Sequence, residues 1–180
     1  LSGDVDLDLS GGTVALTTTD QALTVTGTIN DNAAGDSALT LTTGTGIVDL
    51  QGDVGAIPIG DFMLASASQA DLMDVWASSL AITADNIDLN DTTYSTTTGG
   101  VTFTGAVDLD AGAVTTTVNS SAGINAIVFT STIDDAASDT ALSLDAGTGT
   151  VTTGGAIGGT SGIGTFTVSA ASQADLAAIE

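Results

Sequence analysis

Along the whole chain, two apolar residues flank a small or polar one in short triplets. Examples are Val5-Asp6-Leu7, Leu23-Thr24-Val25, Leu39-Thr40-Leu41, Leu80-Ala81-Ile82, Ile87-Asp88-Leu89, Val101-Thr102-Phe103, Val107-Asp108-Leu109, Leu142-Ser143-Leu144 and Phe166-Thr167-Val168. Such alternation puts successive side chains on opposite faces of a half-buried strand. Thr and Val favour that pleated backbone. Glycine-rich corners, Gly44-Thr45-Gly46 and Gly147-Thr148-Gly149 among them, separate the triplets. No helix-length crossover lies between them. The pattern predicts an all-β chain folded as a parallel β-helix, or β-solenoid, in which each coil forms the floor of the next. A β-sandwich is the rival arrangement. Small residues and Gly-Thr-Gly turns, in place of Asn-Gly hairpins, favour the solenoid.

The strands belong to a longer repeat. "TINDNAAGDSALTLTTGTGIVDL" at 28–50 returns as "TIDDAASDTALSLDAGTGTVTT" at 132–153. "IGDFMLASASQADL" at 59–72 returns as "IGTFTVSAASQADL" at 163–176, and "GDVDLD" at 3–8 as "GAVDLD" at 105–110. The offset stays between about 102 and about 104 residues. Residues 1–180 therefore read as a single solenoid, with 77–180 one full copy and 1–76 a partial one. The first residues lack Met and a basic segment, so they do not read as a signal peptide. The chain is expected to be a processed product or a window on a longer protein.

One stretch departs from the alternation. Ser68 to Trp76 is rich in helix formers, and Ser68 could cap with Asp71 three residues on. Leu72, Val75, Trp76 and Leu80 share one helical face, and Leu176 and Ile179 share the equivalent face of the second copy. Short helical inserts are predicted near 68–76 and 172–180. Leu72, Val75, Trp76, Leu176 and Ile179 are the candidate contacts for a neighbouring repeat or subunit. Trp76 is assigned to the core.

Charge narrows the partners. The chain has no Lys, Arg or His, and its 22 acidic residues give a net charge of −22. Nucleic-acid binding needs cations to displace counterions from phosphate, so it is excluded. Anionic lipid surfaces repel such a chain, and no apolar run is long enough to span a membrane as a helix. No side-chain ion pair can form. Each carboxylate needs water, a hydroxyl, a backbone N–H or a bound cation. With no Cys there are no disulfides.

Three acidic clusters invite a hard cation: Asp4/Asp6/Asp8, Asp85/Asp88/Asp91 with Asn86 and Asn90, and Asp134/Asp135/Asp139 with its repeat equivalent Asp31/Asp36. Carboxylates stacked at the coil spacing of about 4.8 Å repel by about 0.9 kcal/mol in water. Ca²⁺ accepts six to eight oxygens of the kinds present here and would relieve the repulsion. A plain solvated acidic face is the alternative. None of the clusters matches an EF-hand or a calcium-binding nonapeptide. No catalytic residue is assigned. Lyase chemistry on such folds needs a basic residue, zinc lacks its usual ligands, and "GGAIGG" at 154–159 has no following Lys to make a phosphate loop.

"LNDTTYSTTTGGVTFTGAVDLDAGAV" (89–114) and "ALSLDAGTGTVTTGGAIGGTSGIGTFTVSAA" (141–171) resemble the tandem repeats of filamentous-haemagglutinin-like adhesins and related large bacterial surface proteins. The resemblance implies a right-handed parallel β-helix, an extracellular or cell-surface location and a part in adhesion or matrix. It lends no catalytic residues. The expected function is structural: a segment or subunit of a surface fibre, adhesin stalk or sheath, stacked head to tail with its own kind. The alternatives are an adhesin module that grips surface glycans, proteins or other cells through its loops, and a surface-layer subunit.

Overall fold

The computed structural model describes residues 1–136 and 139–180, and among them every regular element is a strand. The strands fall into successive coils. The first holds β1 (Val5–Leu7), β2 (Thr13–Thr17) and β3 (Leu23–Val25). The second holds β4 (Ile29–Asp31), β5 (Ala38–Thr42) and β6 (Ile47–Leu50); the third holds β7 (Val54–Ile59), β8 (Phe62–Ser66) and β9 (Gln69–Leu72). Then come β10 (Val75–Ala77) with the long β11 (Leu80–Leu89), and β12 (Thr93–Thr96) with the long β13 (Val101–Leu109). The sixth coil is β14 (Thr115–Asn119), β15 (Ile127–Phe129) and β16 (Ile133–Asp135). The last two are built on β17 (Ala141–Asp145) and β18 (Thr150–Thr153), and on β19 (Phe166–Ala170) and β20 (Gln173–Asp175).

All pairings are parallel, coil on coil. The first face is an eight-stranded sheet in the order β1-β4-β7-β10-β12-β14-β17-β19. A twelve-stranded sheet makes the other two faces, because β11 and β13 run unbroken through the corner between them. The front half of β11 pairs with β8, and its rear half with β9. β13 likewise pairs with β15 and then β16. Single bridges Ile133–Ile157 and Ile157–Ile179 carry the third face to the last coil. The chain is thus a three-sided β-solenoid of eight rungs. At a rung spacing of about 4.8 Å, its first and last rungs lie about 34 Å apart.

Alternation builds the core. Inward residues stack in columns, such as Leu41–Leu64–Ile82–Phe103–Phe129 on the second face. Phe103 and Phe129 lie with ring centroids 5.1 Å apart, and Tyr94 meets Phe103 edge-on. The buried Tyr94 hydroxyl donates to Leu72 O at 2.8 Å, so its polar end is satisfied inside the column. Corners need backbone freedom: Gly44 and Gly147 turn with φ of 63° and 56°, in the left-handed region that favours glycine.

The two copies of the long repeat do not occupy the same faces. Residues 28–50 supply β4, β5 and β6, on the first, second and third faces. Residues 132–153 supply β16, β17 and β18, which lie on the third face and then on the first and second of the next coil. Each copy therefore advances four coils and two faces, one face short of a whole number of coils.

The predicted helical inserts are strands. Ser68–Trp76 forms β9, a corner and the start of β10, and the second copy forms β20. The apolar residues satisfy both periods: Ala70, Leu72, Val75 and Ala77 alternate as well as they wind. A helix of nine residues is marginal by itself, while strands β6 and β11 on either side of β9 offer complete backbone pairing. Tertiary pairing therefore decides. The change of period also moves Trp76, which was expected in the core. Val75 and Ala77 point inward, and Trp76 points out with 47% of its surface exposed.

Candidate functional site

The third face carries a column of carboxylates. Cross-strand partners run Asp49–Asp71, Asp71–Asp88, Asp88–Asp108 and Asp108–Asp134, so five aspartates stack in register on β6, β9, β11, β13 and β16. The first four are outward residues of triplets whose neighbours fill the core: Val48 and Leu50, Ala70 and Leu72, Ile87 and Leu89, Val107 and Leu109. Asp134 lies between the buried Ile133 and the buried carboxylate Asp135.

Neutral amides line this column. Gln69 Nε2 donates to Asp71 Oδ1 at 2.7 Å and to Asp88 Oδ2 at 2.9 Å, clamping two rungs together. Asn86 Nδ2 donates to Asp88 Oδ1 at 2.6 Å, and Gln51 Nε2 to Asp49 Oδ2 at 2.8 Å. Amides orient carboxylates but bring no charge, and the chain has no cationic side chain to bring. Asp88 bears the consequence. Burial first, then its contact with Asp71 and the charges of Asp71 and Asp108, push its carboxyl up to about 6, against the pull of the Gln69 amide. Its proton is therefore held well above the ordinary carboxylate range.

Other predicted residues have different surroundings. Asp31 is buried at the corner after β4, where it accepts from the N–H groups of Ala33, Asp36 and Ser37 and from the Ser37 hydroxyl. Burial raises its pKa, but these hydrogen bonds outweigh it and hold the carboxyl below its usual range. Asp135, its repeat equivalent, is also buried and accepts from Thr140 N and Oγ1 at 2.8 and 3.1 Å. Both serve as corner ties. Asp36 Oδ1 takes the Gly11 N–H at 3.0 Å, and Asp134 Oδ1 takes those of Thr160 and Ser161 at 2.8 and 3.2 Å. Asp139 is exposed with φ of 55°.

The first predicted cluster meets neutral partners. Asp4 accepts from Thr28, Asp6 lies across from Asn30, and Asp8 accepts from Asn32. The second cluster is dispersed around the coil: Asp85 sits at the corner within β11, Asp88 on the third face, and Asp91 at the approach to the first. Asp91 joins Asp53 and Asp74 instead. One carboxylate oxygen from each of these three lies within 4.8 Å of the others, the one such trio among the described residues. Asp74 Oδ1 accepts the N–H groups of Thr92 and Thr93 at 3.0 and 2.7 Å. Burial raises its pKa, the Thr93 bond opposes this, and the charges of Asp91 and Asp53 add to the rise.

Of the candidate docking residues, Leu72 and Val75 are core, exposed by 0% and 1%. Once β9 and β10 are strands, both point into the prism and cannot form a docking face. Leu176 is half-buried and Ile179 exposed, on the last coil.

Asp49, Asp71 and Asp108 complete the column but were not among the sequence candidates. Their signal is the Asp-Leu pair behind an apolar or small residue, repeated once per coil in the four coils from β6 to β13.

Compared with known protein families, curated proteins and solved structures, the chain matches none.

Proposed function

We propose that this chain is a non-catalytic structural rod, a segment of a bacterial surface fibre, stalk or sheath that stacks end to end with further coils of its own kind. The observation that carries this reading is the stack itself: the strands pair coil on coil along one axis, and core columns such as Leu41–Leu64–Ile82–Phe103–Phe129 run with it. A further coil of the same kind would find apolar side chains to cover, Phe166 among them, and strand edges to pair with. The resemblance to haemagglutinin-like repeats supports a place at the cell surface.

The aspartate column is part of this proposal. Stacked carboxylates without internal counter-charges draw cations from solution, with Ca²⁺ the hard cation best suited to their oxygens. Added Ca²⁺ should raise the melting temperature, a chelator should reverse the rise, and NaCl of equal ionic strength should do less. Equal effects of the two salts would reduce the column to ordinary screening.

Electron microscopy of the 180-residue polypeptide at rising concentration tests the stacking. Filaments one solenoid wide are expected, and Phe166→Asp should block their growth while leaving the strand content intact. Monomers at every concentration, indifferent to that substitution, would refute the rod. An ordered two-dimensional lattice would instead support a surface layer.

A further inference from the structure

A hollow interrupts the flat first face. Val75 pairs with Val54, yet Ala77 pairs with Ile59, so residues Gly55 to Pro58 bulge out of the ladder between β7 and β10. This bulge and the corner at Ser121 and Ala122 flank a groove of about 520 Å³, floored by Ser95 and Asn119. Trp76, the one tryptophan, stands in it half-exposed. The volume suits a small molecule and far exceeds a bare ion.

The groove is not a by-product of the repeat. Around it, equivalent positions keep their type: Leu72 and Leu176, Val75 and Ile179. Trp76 and Asp74 fall opposite Glu180 and Ala178. The aromatic and the acid therefore belong to this coil alone.

Charge selects the occupant. Asp53 and Asp74 line the groove at one side, with Asp91 close behind them. An indole face attracts cations through its quadrupole, and carboxylates do so directly. A second copy of this chain has no cationic side chain to insert. A neutral sugar would cover Trp76 but leave the carboxylates uncompensated. We propose that the groove binds a small organic cation, an alkylammonium whose charged head lies between the Trp76 indole and the Asp53 and Asp74 carboxylates. The proposal is independent of the rod.

Trp76 fluorescence gives the readout. Choline chloride, titrated into the 180-residue polypeptide at constant ionic strength, should produce a saturable change. Asp74→Asn should weaken it by about tenfold or more. Asp175→Asn, which removes the same charge from the second face of the last coil, should leave it unaltered. Should Asp74→Asn disturb folding by circular dichroism, Asp53→Asn provides the same test at an exposed carboxylate. The neutral isostere 3,3-dimethylbutanol should not saturate. Absence of a saturable choline signal would overturn the proposal. So would equal binding of dimethylbutanol, an equal response to CaCl₂ alone, or saturation by maltose without choline binding.

Discussion

The string SQADL occurs at 68–72 and again at 172–176, in the same backbone form but in different surroundings. In the first copy β9 is paired on both sides, and Ala70 and Leu72 are fully buried. In the second, β20 pairs only with β18 and all three of its residues are exposed. Local pattern selects the strand. Burial comes from the coil above, which the string does not encode. Because the repeat slips by one face, even equivalent residues that are well covered meet different neighbours.

Substitutions at equivalent positions can break this comparison. The largest effect is expected at Leu72. Leu72→Ala leaves a cavity in a closed column and should cost about 2–5 kcal/mol in denaturant unfolding. Leu176→Ala, on the open coil, should cost less than half as much. Equal costs would mean that the last coil is covered in solution.

Next come Gly105 and Gly3, another equivalent pair. Gly105 has φ of 136°, and a Cβ there would strike the Ala84 carbonyl oxygen. Gly3 has φ of 95° with open space around it. Gly105→Ala should cost about 1–3 kcal/mol and Gly3→Ala about 1 kcal/mol or less. Thermal melts of the two variants would decide, and a reversed order would contradict the placement of the β11–β13 corner.

The smallest effects concern charge. Asp108 stacks between Asp88 and Asp134, whereas its equivalent Asp6 faces Asn30. At pH 7 and low salt, Asp108→Asn should stabilise the fold by up to about 1 kcal/mol, and Asp6→Asn should do nothing measurable. pH sharpens the contrast. Asp88 holds its proton more tightly folded than unfolded, so stability should climb as pH falls through about 6 and level off near the unfolded value of about 4. Asp31 acts in the opposite sense. Its lowered pKa contributes stability above the unfolded value, and that contribution is lost as pH falls further. Melting temperature should therefore peak in mild acid, and Asp88→Asn should flatten the rise on the neutral side.

The solenoid was legible because triplets such as Val107-Asp108-Leu109 and corners such as Gly44-Thr45-Gly46 state strand and turn locally. The aspartate column was only half legible. Residues hydrogen-bonded between neighbouring coils lie from 17 to 28 positions apart, so no fixed period shows that Asp49 will reach Asp71 or Asp88 reach Asp108. Register comes from corner lengths, which the triplets do not reveal. Ser68–Trp76 misled for a related reason: its apolar residues fit two periods, and only the strands on either side choose between them. That choice also hid Trp76, whose exposure depends on the parity of a strand.

The slip of one face per copy gives the solenoid a screw axis. A position of one copy returns in the next rotated by about a third of a revolution, and three copies restore the starting azimuth; its side chain is either kept, as Asp6 and Asp108, or exchanged, as Trp76 and Glu180. An array of such units would wear its markings like the stripe on a barber's pole. Only what the copies share, such as the Asp6 and Asp108 triplets, would face successive sides in this way, at heights set by the winding.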